Sequence, residues 1–237
     1  MKLLVVSRAD KNVREISDLT FPIIKKFAKK WNADFMVLSK NVDCPDDKHF
    51  YGKFHYRILE FFDLLKDYDR ILHLDCDVVI NKNCPNIFDI TPYDKIGTIF
   101  EDKEKRQLIR LRRIAQIQAE WGDIGWKENY INTGVFLVSK PHAEIFKRFK
   151  GKLWVGWGYD DVHLGYQINR LGMKIHELDY RFNHMCMFSE RWNNNASRFD
   201  SYVIHYAGKA RFPDKETRSR IELIKDDIKK IYDEDYV

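Results

Sequence analysis

Two carboxylates one residue apart, Asp75 and Asp77, lie in the otherwise apolar stretch ILHLDCDVVI, Ile71 to Ile80. Side chains at i and i+2 of an extended segment project on one side, so the two acids stand next to each other. Like charges held close and partly out of water repel, and one takes up a proton unless a cation sits between them. A hard divalent ion such as Mg²⁺ or Mn²⁺ removes that repulsion, and carboxylate oxygen is its preferred ligand. The Asp-x-Asp triplet alone carries no weight, because it recurs at Asp67 with Asp69 and at Asp233 with Asp235, in a polar turn and a charged tail. Only the strand context singles out Asp75 and Asp77, since open α/β sheets bind ligands beyond the carboxyl ends of their strands. The competing account is a capped turn or an acid at the core's edge.

A second pair, Asp160 and Asp161 in GWGYDDVHL, follows glycines at 156 and 158 that permit a tight turn. The acids then open a helix, whose N-terminal dipole favours negative charge; capping by Asp160 is the plain alternative. Lys53 and Arg57 are one helical turn apart and share a face, either toward an anion or toward solvent.

The elements that must position these groups alternate. KLLVV reads as a first buried strand, and TFPIIKKFAKKW as a helix with Thr20 as cap and Pro22 in its first turn. DFMVL is a second strand, KFHYRILEFFDLLK a helix and RILHLDCDVVI a third strand. Such alternation predicts an open, mostly parallel sheet flanked by helices. The second half continues with DKIGTIF, YINTGVFLVS, a helix from Pro141, DDVHLGYQINRLG, MKIHELD and SYVIHYAG, and a charged amphipathic helix closes the chain. No linker or internal repeat appears, which favours one domain over residues 1–237.

Composition excludes several classes. With 237 residues, 44% hydrophobic, the chain can bury a sizeable core. Its 41 basic and 36 acidic residues make a mixed surface that does not call for nucleic acid. The basic block EKRQLIRLRRIAQIQ carries Leu108, Leu111, Ile114 and Ile117 at helical spacing. It reads as an amphipathic surface helix, or else as a docking surface for an acidic or membrane-bound acceptor, so any membrane contact is peripheral. No apolar run is long enough to span a bilayer, the opening MKLLVVSRAD does not fit a signal peptide, and four cysteines without CxxC spacing suit a reducing compartment. The expectation is a cytoplasmic protein.

The segment YGKFHYRILEFFDLLKDYDRILHLDCDVVINKNCPNIFDI resembles the centre of nucleotide-sugar glycosyltransferases of the GT-A fold, family 8 and its relatives above all. INTGVFLVSK, GWGYDDVHL and HYAGKARF follow in the family's order, so the resemblance runs from Met1 to about Phe212. It implies a single Rossmann-like GT-A domain with a nucleotide-binding half at 1–100, a sugar and acceptor half at 101–212 and a C-terminal helix at 213–237. It implies Mn²⁺, with Mg²⁺ the alternative, and a UDP-sugar donor whose sugar passes to a glycan or other hydroxyl acceptor. By analogy Asp75, Asp77 and His205 are the metal ligands, with Asp75 also near the ribose; the imidazole favours manganese. Gly208 and Lys209 would meet the phosphates, Ser7, Arg8 and Asp10 the base and ribose, and Lys53 and Arg57 the phosphate or sugar. Asn132, Asp160 and Asp161 are the candidate catalytic residues around the sugar, and Trp157 is a platform for a sugar face or else a core residue. GWGYDDV also resembles the WGGEDDD segment of inverting galactosyltransferases, whereas family 8 usually reads Asp-Gln there, which leaves the stereochemistry open. Two rival readings fit parts of the sequence. In a haloacid dehalogenase-type phosphatase Asp75 would be the nucleophile, but two strand-helix units precede the motif and NTGVF and HYAG go unexplained. The other is a non-catalytic sugar-nucleotide-binding module.

Overall fold

A computed structural model describes residues 1–45, 47, 52–185, 196–208 and 218–232. Among them β1 (Leu3–Arg8), β2 (Ala33–Leu38), β3 (Arg70–Leu74), β5 (Lys95–Thr98), β6 (Val135–Ser139) and β7 (Lys174–Glu177) form one sheet in the order β2-β1-β3-β6-β5-β7. Only β6 runs against the rest, pairing antiparallel with both β3 and β5. A small second sheet, β4-β9-β8, joins β4 (Val78–Ile80), β9 (Val203–His205) and β8 (His184–Met185).

The central strands read as continuous apolar runs because both faces are covered. On one face Val5, Leu72, Leu74, Val135 and Leu137 pack with Ile23, Ile24 and Phe27 of α1 (Arg14–Lys30) and with Leu223, Ile224 and Ile228 of α7 (Arg220–Tyr232). On the other, Leu4, Val6, Ile71, Phe136 and Val138 meet Phe61 and Leu65 of α3 (Phe61–Asp67) and Leu164 and Ile168 of α6 (Tyr159–Arg170). Each such side chain taken from water contributes about 2 kcal/mol, so the α7 stripe is a substantial anchor.

Several local expectations shift. The first helix starts at Arg14, so Pro22 lies inside it and Thr20 is not its cap. KFHYRILEFFDLLK is not one helix: α2 (Gly52–His55) and α3 are separated by a 3₁₀ stretch at Tyr56–Glu60. The helix expected from Pro141 is a 3₁₀ turn, Lys140–Phe146. The basic block does form a helix, α5 (Gln107–Trp121), which buries Ile114 and Ile117 but leaves Leu108 72% exposed. A short α4 (Ile87–Ile90) follows β4. The expected C-terminal helix is present as α7, beginning at Arg220. Among the described residues no helix is long and apolar enough to cross a membrane.

The run Ile71 to Ile80 is also not one strand. It ends β3 at Leu74, turns through Asp75, Cys76 and Asp77, and resumes as β4 in the second sheet.

Candidate active site

That turn is held from three sides. The Asp75 N–H donates to Gly134 O at 2.9 Å, and the Tyr206 N–H donates to Asp77 O at 2.9 Å. The Thr20 hydroxyl donates to Cys76 O at 2.6 Å, which is the work that residue does instead of capping. The antiparallel register of β4 and β9 sets Val78 opposite His205, and so delivers an imidazole from 128 residues further along the chain to the acids.

His205 Nε2 lies 3.3 Å from Asp77 Oδ1 and 3.6 Å from Asp75 Oδ2. One ligand atom from each of the three residues falls within 4.8 Å of the others. The imidazole is aimed by a relay. His205 Nδ1–H donates to Asn183 Oδ1 at 2.8 Å, Asn183 Nδ2 donates to Asn132 Oδ1 at 2.8 Å, and Asn132 Nδ2 donates to Glu101 Oε1 at 2.5 Å. With Nδ1 carrying the proton, the Nε2 lone pair of neutral His205 faces the acids. Burial opposes charge on His205, yet Asp77 and Asp75 outweigh it and raise its pKa. Without an ion the cluster therefore draws a proton into the place a cation would take. Two hard carboxylates and an imidazole are a donor set that fits Mn²⁺.

Arg8 joins this cluster to the second acid pair. Its Nη2 donates to Asp75 Oδ1 at 2.9 Å, and its Nη1 donates to Asp160 Oδ2 at 2.5 Å and to His55 O at 2.7 Å. Burial would raise the Asp75 pKa, but Arg8 first, then His73 and His205, hold it at about 2. His73 lies beneath, giving Nδ1–H to Thr133 O at 2.6 Å, and burial and Arg8 keep it neutral with a pKa lowered to about 4.

Asp160 does not cap its helix. The N-cap is Gly158 at φ 91°, where an added Cβ would lie 2.3 Å from the Tyr130 hydroxyl. The Asp160 carboxylate instead takes Arg8, His55 Nδ1 at 2.9 Å and the Thr133 hydroxyl at 3.0 Å. Against the effect of burial, Arg8 and His55 hold its pKa far below the carboxylate range. Asp161 is the opposite case. Burial, the charge of Asp160 and that of Glu101 push it up to about 7, although the Thr133 N–H donates to its Oδ1 at 2.8 Å. The Thr133 hydroxyl has one hydrogen and stands 2.8 Å from Asp161 Oδ1 and 3.0 Å from Asp160 Oδ2. A proton on Asp161, the acid whose affinity for it is raised, relieves that shortage. Paired carboxyl groups with divergent affinities are the usual arrangement of acid-base sites.

Beside Asp75 opens a cavity of about 440 Å³ whose lining includes Arg8, Asp10, Phe54, His55, Arg57 and Cys76. Arg57 is buried and donates to Asp10 Oδ2 at 2.8 Å and Asn41 Oδ1 at 2.6 Å. Ser7 is fully buried and not part of the lining, its hydroxyl donating to Leu74 O at 2.7 Å. Lys53 is half-buried in α2 and is not part of the lining. Gly208, at φ 64°, is exposed, with its carbonyl accepting from Arg220 at 3.0 Å. Lys209 lies outside the described residues. Trp157 is 74% exposed, with Arg113 over its ring at 5.9 Å.

Sequence reasoning did not single out Glu101, Thr133, Gly134, Asn183, His55 or Arg220. Glu101 follows the apolar strand β5 as Asp75 follows β3, so the same strand-end rule finds it. Gly134 is required by contact, because a Cβ there would lie 2.4 Å from His205 Cε1. Nothing local marks Asn183.

The sequence model described as glycosyl transferase family 8 matches residues 3–144. Among solved structures, a glycosyltransferase involved in glycosylation of the major capsid of PBCV-1 superposes with a TM-score of 0.61 at 16% identity, over 95% of this chain and 99% of that one. The galactosyltransferase LgtC, in complex with donor and acceptor sugar analogues, gives 0.58 at 16% identity, over 97% of this chain and 96% of its own. Mouse xyloside xylosyltransferase 1 gives 0.51 at 12% identity, over 90% and 99%. At such identities the likeness is one of fold, the GT-A arrangement. No curated protein sequence matches the chain.

Proposed function

The chain belongs to glycosyl transferase family 8, and from that membership we propose that it moves a sugar from a UDP-sugar to an acceptor hydroxyl with the help of Mn²⁺ held by Asp75, Asp77 and His205. The observation that carries the metal assignment is the convergence of those three ligand atoms, with the imidazole lone pair aimed by the Asn183 relay. A divalent ion at that place would neutralise charge on a departing diphosphate.

The remaining roles belong to the chain's own side chains. The cavity beside Asp75 receives the nucleoside, and Asp10, fixed by Arg57, is its polar end. This is the nucleotide half proposed for residues 1–100, with the sugar and acceptor handled by residues from 101 onward. Arg8 orients Asp75 toward the ion and Asp160 toward the sugar. Asp161, half protonated near neutral pH, gives a proton to or takes one from a sugar or acceptor hydroxyl. Asn132 acts on His205 through Asn183. A phosphatase using Asp75 as nucleophile is left without support, because that carboxylate is tied to Arg8 and lies within a glycosyltransferase family match.

The test is a panel of nucleotide sugars with Mn²⁺, read as slow donor hydrolysis and as transfer to added acceptors. Asp77→Asn should abolish both and leave the thermal transition in place. Full activity in that variant removes the metal role, and ligand-induced stabilisation without turnover in the wild type points to a binding module instead.

A further inference from the structure

We propose that Arg220, the first residue of α7, is a ligand for the donor's diphosphate; the inference rests on the function proposed above. Arg220 Nη1 donates to Asp77 Oδ2 at 3.1 Å, to Gly208 O at 3.0 Å and to Tyr206 O at 3.4 Å. All three contacts use Nη1. Nε and Nη2 make no hydrogen bond to a described residue, which leaves most of the guanidinium fork for a second, bidentate partner, and phosphate matches that fork.

Holding the helix does not explain this arginine. Buried Asp227 of α7 accepts from Arg198 Nε at 2.7 Å, Arg198 Nη2 at 2.9 Å and the Tyr206 hydroxyl at 2.6 Å. The Tyr232 hydroxyl donates to Ile80 O, and Leu223, Ile224, Ile228 and Ile231 are packed in the core. A partly exposed ion pair adds little to a helix so anchored. The anchoring does the reverse service, fixing the guanidinium beside a metal ligand.

Charge counting says what it is for. The two positive charges of a divalent ion are matched by Asp75 and Asp77, and Arg8 divides its charge between Asp75 and Asp160. When the bond from the sugar's anomeric carbon to the diphosphate oxygen breaks, its electron pair leaves with the diphosphate. That group gains one negative charge, while the acceptor oxygen bonds to carbon and gives up its proton. Among the described residues, Arg220 is the arginine that contacts Asp77, and so the positive charge placed to meet that gain.

Binding calorimetry on the full chain tests the assignment, with wild type, Arg220→Gln and Arg220→Lys titrated with Mn²⁺ alone, and with UDP and inorganic pyrophosphate in saturating Mn²⁺. Arg220→Gln should weaken UDP and pyrophosphate about tenfold or more and should leave Mn²⁺ binding equal or tighter, since a competing cation has gone. Arg220→Lys should fall between, as a point charge without the fork. If Arg220→Gln binds UDP and pyrophosphate within about twofold of wild type, the proposal is overturned, whatever happens to Mn²⁺. Thermal melts check that each variant folds, and Arg220→Lys carries the comparison should Arg220→Gln melt early. A wild type that takes pyrophosphate with Mn²⁺ but not UDP refutes the donor named above and leaves Arg220 to be judged on pyrophosphate. A wild type that binds neither removes both.

Discussion

Asp161→Asn should make the protein more stable above neutral pH while making it a poorer enzyme. Wild-type Asp161 has its pKa raised from 3.8 to about 7 by burial and by the charges of Asp160 and Glu101. An acid with a raised native pKa holds its proton more tightly folded than unfolded. Its penalty is absent below about pH 4, grows through the window up to about pH 7 and is constant above it. A gap of about three pH units, at about 1.4 kcal/mol each, sets the full penalty on the order of 4 kcal/mol. Asparagine keeps an oxygen to accept from the Thr133 N–H and carries no charge, so it removes the penalty. The assay is urea unfolding of wild type and variant in chelator at pH 5 and pH 8. His205 and His55 have pKa values raised from 6.5 and lose stabilisation as pH climbs beyond it, so the quantity to read is the difference between the two proteins. The variant's advantage should be about 1.5 kcal/mol at pH 5 and about 4 kcal/mol at pH 8, while sugar transfer falls by roughly 10²-fold or more. An advantage that does not change with pH, or a variant less stable at pH 8, refutes the electrostatic account of this carboxyl.

Two further substitutions test the ion site from behind. Asn183→Ala frees His205 Nδ1 and with it the choice of tautomer, so Mn²⁺ affinity followed by electron paramagnetic resonance should drop roughly 10- to 100-fold; unchanged affinity would mean that the relay is idle. Gly134→Ala drives a methyl group to within 2.4 Å of His205 Cε1, and should cost about 1–3 kcal/mol of stability in a melt together with weaker Mn²⁺ binding; a variant that melts and binds like wild type would show that the imidazole has room to spare.

The parts of this molecule that its sequence disclosed are those governed by local periodicity. The strands around Val5 and Leu72 follow from apolar runs buried on both faces, the edge strand around Phe35 from a shorter apolar run, and α6 from its glycine turn and spacing. Elements whose limits depend on tertiary contacts are not legible in this way: α1 extends through Pro22, and Thr20 holds a turn 56 residues away rather than capping its own helix. The acids Asp75 and Asp77 were legible because charge in an apolar run is costly and needs a reason. The bend between them was not, because it arises where the chain leaves one sheet for another. His205 entered through a resemblance, and only strand pairing across the second sheet explains its nearness to Asp77. Asn183 and Arg220 gave no warning at all, since a lone polar residue in a loop or at a helix start has no periodic signature.

One guanidinium touching both Asp75 and Asp160 has a thermodynamic corollary. When a cation loads onto Asp75, that carboxylate's hold on Arg8 slackens and the arginine is freer to favour Asp160, whose charge then presses less on its neighbour Asp161. Ion occupancy and the ease with which Asp161 parts with its proton are therefore linked functions, and linkage acts equally in both directions. Titrating one would report on the other: if the proposed ion binds, its uptake should shift protons through the neutral range and its grip should track pH there, although Asp160 and Asp161 are not among its candidate ligands.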